Sequence, residues 1–325
     1  MIADQCRRPS PPRKARAVPR VFSSDRFELP LPPGHRFPAR KYGMLRERVQ
    51  ADGTAVDLEP PSASRAQLGR VHTEGYLERV FTGALEKNEA RRIGLPWSPA
   101  MLERSRRSTG ATVASCERAL IDGASLYLAG GTHHAFADRG EGFCVFNDVA
   151  VAARELLAAG RVGRVCVVDL DVHQGNGTAV IFADDPRVFT FSLHGAGNYP
   201  FHKTRSDVDV ALPDRTGDLA YLQALDAHLD AVLDRAEPDL VVYIAGADVY
   251  AGDRLGRLSL TPDGIAARDR RVFAALGRRA LPWAMVMGGG YAQPIEETVS
   301  IQHRTVRIAL ESVANGNHGA GPPVS

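Results

Sequence analysis

One stretch of the chain, residues 164–173, reads RVCVVDLDVH and joins an apolar run to a polar end. Its first part is rich in β-branched residues, which favours a strand buried on both faces. Alternate side chains of an extended segment share a face, so Asp169, Asp171 and His173 are predicted to point the same way. One carboxylate and one imidazole at this spacing can bind a single cation. The pattern alone also suits an acid that caps the next helix and a histidine packed in the core.

Similar apolar runs recur on both sides of this stretch and predict further strands. They are LYLAGG (126–131), RVFTFSL (187–193), DLVVYIAG (239–246) and PWAMVMGGG (282–290). Helical spacing with a polar face separates them, over residues 147–159, 218–236, 262–279 and 295–312. Apolar strands that alternate with helices predict an α/β fold, a single domain with an open, mainly parallel sheet and helices on both faces.

The two ends of the chain differ from this pattern. Residues 1–20 are basic and proline-rich without an apolar core segment, so we expect a disordered basic tail, with a nucleic-acid arm as the alternative. Residues 313–325 are expected to form a flexible C-terminal tail. One domain is predicted over residues 21–312. Its N-terminal third is expected to be mainly helical, with helices over 41–50, 64–89 and 99–123 and a loop over 90–98.

Composition excludes several classes of protein. The 325 residues are 44% hydrophobic and 24% charged, enough for a sizeable core, and the formal charge of +2 indicates neither nucleic-acid nor membrane binding. No apolar run approaches the ~20 residues of a membrane-spanning helix. The four cysteines show no CxxC spacing, so we expect reduced thiols rather than a disulfide framework, and a cytoplasmic protein.

A second acid that could complete a metal site follows another strand. Asp248 lies in IAGADVYAGD, just after the run that ends at residue 246. Two carboxylates and one histidine leave coordination positions open for water and substrate, as catalytic zinc sites do. Ferrous iron suits the same ligands. Taken alone, an acid at the position of Asp248 is more often an ordinary loop residue than a metal ligand.

Two more strand ends carry candidate catalytic groups. His133 and His134 in GGTHHA can serve as proton carriers, because histidine titrates near neutral pH. Adjacent histidines are also compatible with an exposed surface pair. Tyr291 in MGGGY can donate a hydrogen bond to a developing oxyanion, although glycine runs are common in loops. Ligands bind at the C-terminal ends of strands in open parallel sheets, so these groups are predicted to converge.

Five strings, in this order, resemble the histone-deacetylase-like amidohydrolases of the arginase/deacetylase superfamily. They are GGTHHAFADRGEGFCVFND, VVDLDVHQGNGT, SLHGAGNYPF, GADVYAGDRLGRLSLT and MGGGY. HRFPARKYGMLRERV (35–49) and VHTEGYL (71–77) are also similar to that family, so the resemblance covers most of the chain. The bacterial proteins similar to class IV deacetylases are the nearest type. The resemblance implies that residues 21–312 form a deacetylase catalytic domain.

The resemblance implies two ion sites. Asp171, His173 and Asp248 would bind the catalytic zinc, with iron as an alternative. Asp169 and Ser192 would help to hold a structural potassium ion.

It also implies a set of catalytic residues. His133 and His134 would face the attacking water, with Asp169 hydrogen-bonded to His133 and Asn176 orienting His134. Some relatives have aspartate in place of Asn176, and a neutral partner should leave His134 less basic. His134 would take the proton of the water and pass it to the leaving amine, while Tyr291 stabilises the oxyanion.

The resemblance further implies a narrow substrate tunnel. The carbonyl of Gly142 would accept the substrate amide N–H, and Phe143 and Tyr199 would form apolar walls. Cys144 would line the space for the acyl methyl, or simply pack there. Leu255 stands where polyamine-specialised relatives carry an acid, which disfavours a cationic polyamine.

The function expected from these features is metal-dependent amide hydrolysis on acyl-lysine in proteins or peptides. The alternatives are a small-molecule deacetylase acting on acetylpolyamines or other acylated amines, and a non-catalytic acyl-lysine binder. A binder would be indicated by loss of a metal ligand or of Tyr291, and all are present. An arginase-like ureohydrolase needs a two-metal aspartate set that this chain does not show. No direct nucleic-acid or membrane binding is expected, and an oligomer is compatible with the sequence.

Overall fold

The computed structural model describes residues 18–317, and a parallel sheet lies at their centre. This described part contains eight strands in the order β2-β1-β3-β8-β7-β4-β5-β6, and every pairing is parallel. The strands are β1 Arg20–Phe22, β2 Val56–Asp57, β3 Ala124–Tyr127, β4 Val165–Asp169, β5 Val188–Gly195, β6 Val208–Leu212, β7 Leu240–Ile244 and β8 Trp283–Val286.

Helices connect these strands. They are α1 Arg40–Ala51, α2 Arg65–Leu68, α3 Glu74–Thr82, α4 Lys87–Ile93, α5 Pro99–Asp122, α6 Asp148–Ala158, α7 Asn176–Phe182, α8 Asp218–Ala236, α9 Pro262–Arg278 and α10 Ile295–Asn317. Local sequence explains their starts: the Thr261 side chain accepts the N–H of Gly264, and Pro262 occupies the first turn of α9. Among the described residues, no helix is long and apolar enough to span a membrane.

Two apolar cores cover the two faces of the sheet. Strand β4 contributes Cys166 and Val168 to the core under α1, α8, α9 and α10. Its alternate residues, Val165 and Val167, belong to the core under α5 and α6. This explains why the strand is apolar throughout, because both faces are buried. The predicted fold, an open parallel α/β sheet with helices on both faces, is confirmed.

The structure differs from the sequence-based expectation mainly in short elements. The expected loop over 90–98 begins as the end of α4, which stops where Gly94 adopts a left-handed conformation with φ of 77°. The expected helix over 64–89 is three helices. Strands β1, β2 and β6 were not predicted, because β1 and β2 have three and two residues and β6 is an edge strand with alternating burial.

The predicted tails lie mostly outside the described residues, at 1–17 and 318–325. Inside them, Arg20 already belongs to β1. Helix α10 continues to Asn317, past the residue 313 at which the C-terminal tail was expected to start. Cys116, Cys144 and Cys166 are buried free thiols, in accord with the absence of a disulfide pattern. Cys6 is outside the described residues.

Candidate active site

The residues predicted to carry chemistry follow five strands that are neighbours in the sheet. These strands lie side by side in the order β3-β8-β7-β4-β5. His133 and His134 follow β3, Tyr291 follows β8 and Asp248 follows β7. Asp171 and His173 follow β4, and Tyr199 follows β5. Because all five strands run in parallel, their carboxyl ends share one edge. The tertiary fold therefore gathers groups that are far apart in the chain.

Asp171, His173 and Asp248 form a compact group of possible metal ligands. One ligand atom from each lies within 4.8 Å of the others. Nδ1 of His173 is 2.9 Å from Oδ1 of Asp171 and 3.3 Å from Oδ2 of Asp248. Backbone N–H groups hold the other carboxylate oxygens: Gly289 donates to Asp171 at 2.7 Å and Val172 to Asp248 at 3.0 Å. The structure therefore brings together the three residues that the sequence patterns proposed as metal ligands.

The chemistry of this group fits a bound cation. Oδ2 of Asp248 is buried and has no hydrogen bond to any described residue. Burial and the neighbouring charge of Asp171 raise the pKa of Asp248 to about 7. Two buried carboxylates beside one imidazole are costly to hold unless a positive charge lies between them. The ligand types and their number suit zinc or ferrous iron.

Glycine is required where the backbone passes this group. A Cβ on Gly289 would lie 1.8 Å from Oδ2 of Asp248, which no real side chain tolerates. The glycine run of MGGGY thus allows close approach of backbone to the two carboxylates.

His133 is paired with a carboxylate. Its Nδ1 lies 2.6 Å from Oδ2 of Asp169, and Nε2 lies 3.9 Å from Oδ1 of Asp171. Burial by itself lowers the pKa of His133, but the two carboxylates outweigh it and raise the pKa to about 9. The ring is therefore a cation at neutral pH.

His134, unlike His133, has a lowered pKa and a neutral hydrogen-bond partner. Its Nδ1 lies 2.7 Å from Oδ1 of Asn176, an acceptor, so Nδ1 carries the proton and Nε2 is left as an acceptor. Burial holds the pKa of His134 well below its usual range, and the positive charges of His133 and His173 lower it further. A neutral imidazole with a free Nε2 can accept a proton from water.

A cavity of about 610 Å³ opens onto these groups. It is lined by the candidate metal ligands, both histidines, Tyr291 and all five predicted tunnel residues: Gly142, Phe143, Cys144, Tyr199 and Leu255. Asp169, Asn176 and Ser192 do not line it. Two of these, Asp169 and Asn176, lie behind the histidines that they contact.

Backbone conformation and contacts with neighbouring groups fix the positions of the tunnel residues Phe143, Gly142 and Tyr199. Phe143 has a positive φ of 67°, and its N–H donates to the carbonyl of Ile93 at 2.7 Å. A Cβ on Gly142 would lie 2.7 Å from Cδ2 of His134, so only glycine fits there. The ring of Tyr199 meets that of His134 edge-on at 5.0 Å, and the Tyr199 hydroxyl donates to Glu141.

Two residues that the sequence patterns did not indicate hold Tyr291. The Gly290–Tyr291 peptide is bound on both sides: Nζ of Lys41 donates to its carbonyl at 3.0 Å, and its N–H donates to Asp253 at 2.6 Å. Nζ of Lys41 also lies 5.0 Å from the centre of the Tyr291 ring. Burial lowers the pKa of Lys41 to about 8. One signal was available: Lys41 precedes Leu45 and Val49 at helical spacing, on the buried face of α1.

The predicted potassium ligands are neighbours but carry no further sign of an ion. Asp169 pairs with Ser192 across β4 and β5. The Ser192 hydroxyl lies 3.0 Å from Nδ1 of His194. The potassium site stays a prediction from the resemblance.

Comparisons with known proteins agree with this geometry. The family model described as "Histone deacetylase domain" matches residues 35–306. An uncharacterised protein of Picosynechococcus sp. is 43% identical, over 89% of this chain and 98% of its own. Histone deacetylase 2 of Arabidopsis thaliana is 32% identical, over 86% of this chain and 73% of its own. The crystal structure of an HDAC homologue from Aquifex aeolicus has the same fold, with a TM-score of 0.77 at 23% identity over 92% of this chain and 84% of that one.

A parallel α/β sheet with titratable side chains gathered around a cavity at its carboxyl edge, together with these relatives, defines an enzyme of the hydrolase class. The chain belongs to the histone deacetylase family, and its hydrolytic activity is that of a deacetylase.

Proposed function

We propose that the protein is a zinc-dependent deacetylase that hydrolyses the amide of N-ε-acyl-lysine in proteins or peptides. One observation carries the proposal: Asp171, His173 and Asp248 meet within 4.8 Å, and the same cavity is lined by a neutral histidine. A metal ligand group and a proton acceptor side by side are what amide hydrolysis by water needs.

Asp171, His173 and Asp248 would hold the metal ion. Zinc bound there would polarise the acyl carbonyl and make water more acidic, and ferrous iron suits the same ligands. Two carboxylates and one imidazole leave positions open for substrate.

Residues of the chain would carry out the proton transfers and stabilise the negative charge that develops during the reaction. Nε2 of His134 takes the proton of the attacking water and returns it to the amine when the C–N bond breaks, which releases a carboxylic acid and a free amine. His133, kept protonated by Asp169, stabilises the negative charge that develops on the oxygen atoms. Burial and the nearby Tyr42 and Asp248 raise the pKa of Tyr291 well above its usual value, so its hydroxyl remains a donor for the oxyanion.

The cavity lining supports a lysine-like substrate. Phe143, Tyr199 and Leu255 offer apolar contact to a methylene chain. The carbonyl of Gly142 would accept the substrate amide N–H. Leu255 places no charge that could compensate a polyamine cation, which favours acyl-lysine over the alternative, an acetylpolyamine or another small acylated amine.

An activity panel on metal-reconstituted protein tests the proposal. The chain is stripped with a chelator, reloaded with zinc or ferrous iron, and assayed on acetyl-lysine peptides and on N-acetylated polyamines. We expect metal-dependent release of acetate with kcat/KM higher for the peptides, and no turnover by Asp248→Asn. Preference for the polyamines would favour the small-molecule alternative. Failure to hydrolyse either class would refute the proposed activity.

A further inference from the structure

The mouth of the cavity has an unusual charge composition. Of the residues that line the cavity, those exposed to solvent are Arg36, Arg91, Arg92, Phe201 and Arg257. Among the described residues, no exposed acid lines it. The chain as a whole has a formal charge of only +2, so general basicity does not explain four arginines at one opening.

Three of these arginines form no salt bridge in the described part of the chain. Arg79 and, more weakly, the charge of Arg92 lower the pKa of Glu89, but the Glu89 carboxylate is already paired with Arg79 at 2.7 Å. Arg257 pairs with Asp214 at 3.2 Å. Within residues 18–317, no ion pair or side-chain hydrogen bond joins Arg36, Arg91 or Arg92 to another group. The acids that line the cavity cannot neutralise them, because Asp25 already pairs with Arg46 at 2.8 Å and the other two are the candidate metal ligands.

The backbone holds this cluster against the tunnel wall. Arg91 and Arg92 form the last turn of α4, whose free carbonyls on Arg92 and Ile93 accept the N–H groups of Gly142 and Phe143 at 3.1 and 2.7 Å. Arg36 lies between His35 and Phe37, and the Phe37 ring is 5.3 Å from that of Phe143. The three guanidinium groups are therefore tethered beside the path that a substrate must take.

We propose that Arg36, Arg91 and Arg92 bind carboxylate side chains that flank the acylated lysine, so that the preferred substrate is an acidic polypeptide segment. The inference rests on the proposed deacetylase function and specifies its substrate. Guanidinium groups bind carboxylates through charge and paired N–H donors. Their exposure at the mouth matches the flanking residues of a peptide whose acyl-lysine enters the tunnel.

The position of the remaining arginine argues against recognition of an acidic acyl group. Arg104 is the buried arginine of the cavity lining, and its guanidinium already donates to the carbonyls of Ser24 and Phe27. The unpaired positive charge is thus at the mouth, where the polypeptide lies, and not in the interior, where the acyl group would lie.

The test uses three acetyl-lysine peptides that differ only in flanking residues, Glu, Gln or Lys, on the metal-loaded enzyme. The wild type should show kcat/KM about tenfold higher for the Glu peptide than for the Lys peptide, given the modest strength of exposed ion pairs. This ratio should approach one at high salt. It should also be lost in a triple variant with Arg36→Gln, Arg91→Gln and Arg92→Gln, which keeps its activity on the Gln peptide.

A second triple variant controls for the change in net charge. Arg161→Gln, Arg235→Gln and Arg270→Gln remove three exposed arginines that do not line the cavity, and this variant should keep the wild-type preference. Equal rates on the three peptides, a preference for Lys, or a preference that survives in the first variant would each overturn the inference. So would a preference for succinyl-lysine over acetyl-lysine that depends on the same arginines. The proposed function fails separately, if the wild type does not hydrolyse the Gln peptide.

Discussion

At the scale of single residues, neighbouring side chains shift the pKa values of two adjacent histidines in opposite directions. His133 and His134 follow each other in the chain, yet the pKa of the first is raised to about 9 and that of the second is held well below its usual value. Both are buried, so the difference comes from neighbouring charges: the carboxylates of Asp169 and Asp171 raise the pKa of His133, whereas the positive charges of His133 and His173 lower that of His134. Asn176, the partner of His134, is neutral and supplies no charge to offset them. Because their pKa values differ, one histidine can act as a general base while the other stabilises negative charge as a cation.

Tyr291 should act on the transition state and not on substrate binding. Tyr291→Phe keeps the ring and removes only the hydroxyl donor, so turnover should fall by ~10²–10³-fold with little change in KM. Steady-state kinetics on an acetyl-lysine peptide measure both values. A variant with near-normal kcat and a greatly raised KM would instead make Tyr291 a residue that positions the substrate.

Lys41 should matter through the position of Tyr291. Lys41→Met removes the donor to the Gly290 carbonyl, and misplacement of the tyrosine should lower kcat by about 10- to 10²-fold, while KM changes little. Lys41→Arg restores a cationic donor and should recover part of the loss.

Thermal unfolding separates this effect from damage to the fold. A lysine whose pKa is lowered from 10.5 to about 8 destabilises the folded state at neutral pH, because burial disfavours its charge. Lys41→Met should therefore unfold no earlier than the wild type. A large drop in its unfolding temperature, parallel to the loss of activity, would contradict a positioning role.

At the scale of elements, helix ends and close backbone contacts build the site. The last turn of α4 supports the Gly142–Phe143 segment, and α5 packs against the chain before α2. At that contact, Gly110 of α5 faces the backbone of residues 61–63: a Cβ there would lie 1.9 Å from the carbonyl oxygen of Pro61. A helix position with no room for one methyl group indicates close packing of backbone on backbone.

Two glycine substitutions in helices test this packing. Gly110→Ala should lower the free energy of unfolding by about 1–3 kcal/mol, because the new methyl group must displace backbone. Gly277→Ala in α9 is the matched control, since a Cβ at this position would have no neighbouring atom within 4 Å among the described residues. It should stabilise the protein by about 0.5–1 kcal/mol through helix propensity. Chemical denaturation measures both, and equal stability of the two variants would contradict the contact.

At the scale of the whole molecule, two neighbouring strands, β4 and β7, bring together Asp171, His173 and Asp248 from distant parts of the chain, so metal binding and folding should be coupled. An ion that binds only the folded chain stabilises it by ~2.7 kcal/mol at a concentration of 100 Kd. We expect one zinc per chain by elemental analysis, and an unfolding temperature raised by about 4 °C at that zinc concentration.

Substitution of one ligand should remove this stabilisation. Asp248→Asn should abolish the zinc-induced shift, whereas Asp184→Asn, at an exposed acid outside the cavity, should keep it. The pKa of Asp248 is raised from 3.8 to about 7, so without zinc its contribution to stability is present below pH 3.8 and is lost as the pH rises through about 7. Stripped Asp248→Asn should therefore be at least as stable as the stripped wild type at pH 8. A full zinc shift in this variant would place the ion elsewhere.

Local patterns in the sequence predicted the main strands and the four long helices after residue 147, and they made Asp171, His173 and Asp248 candidates that the family resemblance then assigned to a metal site. Burial on both faces makes a strand apolar throughout, and alternation puts Asp169, Asp171 and His173 on one face, so both features are visible within a few residues. Edge strand β6 and the two- and three-residue strands lack such a signal, because their residues form strands only once their neighbours are in place.

Only the tertiary structure decided which groups meet and what charge they carry. Lys41 reaches the Gly290 carbonyl across 249 residues of sequence, and the strand order β3-β8-β7-β4 brings four distant loops to one edge. The opposite pKa values of His133 and His134 depend on burial and on partners from other loops. The unpaired arginines became a candidate binding surface only when α4 was seen beside the tunnel wall. Sequence patterns report the periodicity and type of residues, whereas distances between remote side chains arise from packing, which local periodicity does not encode.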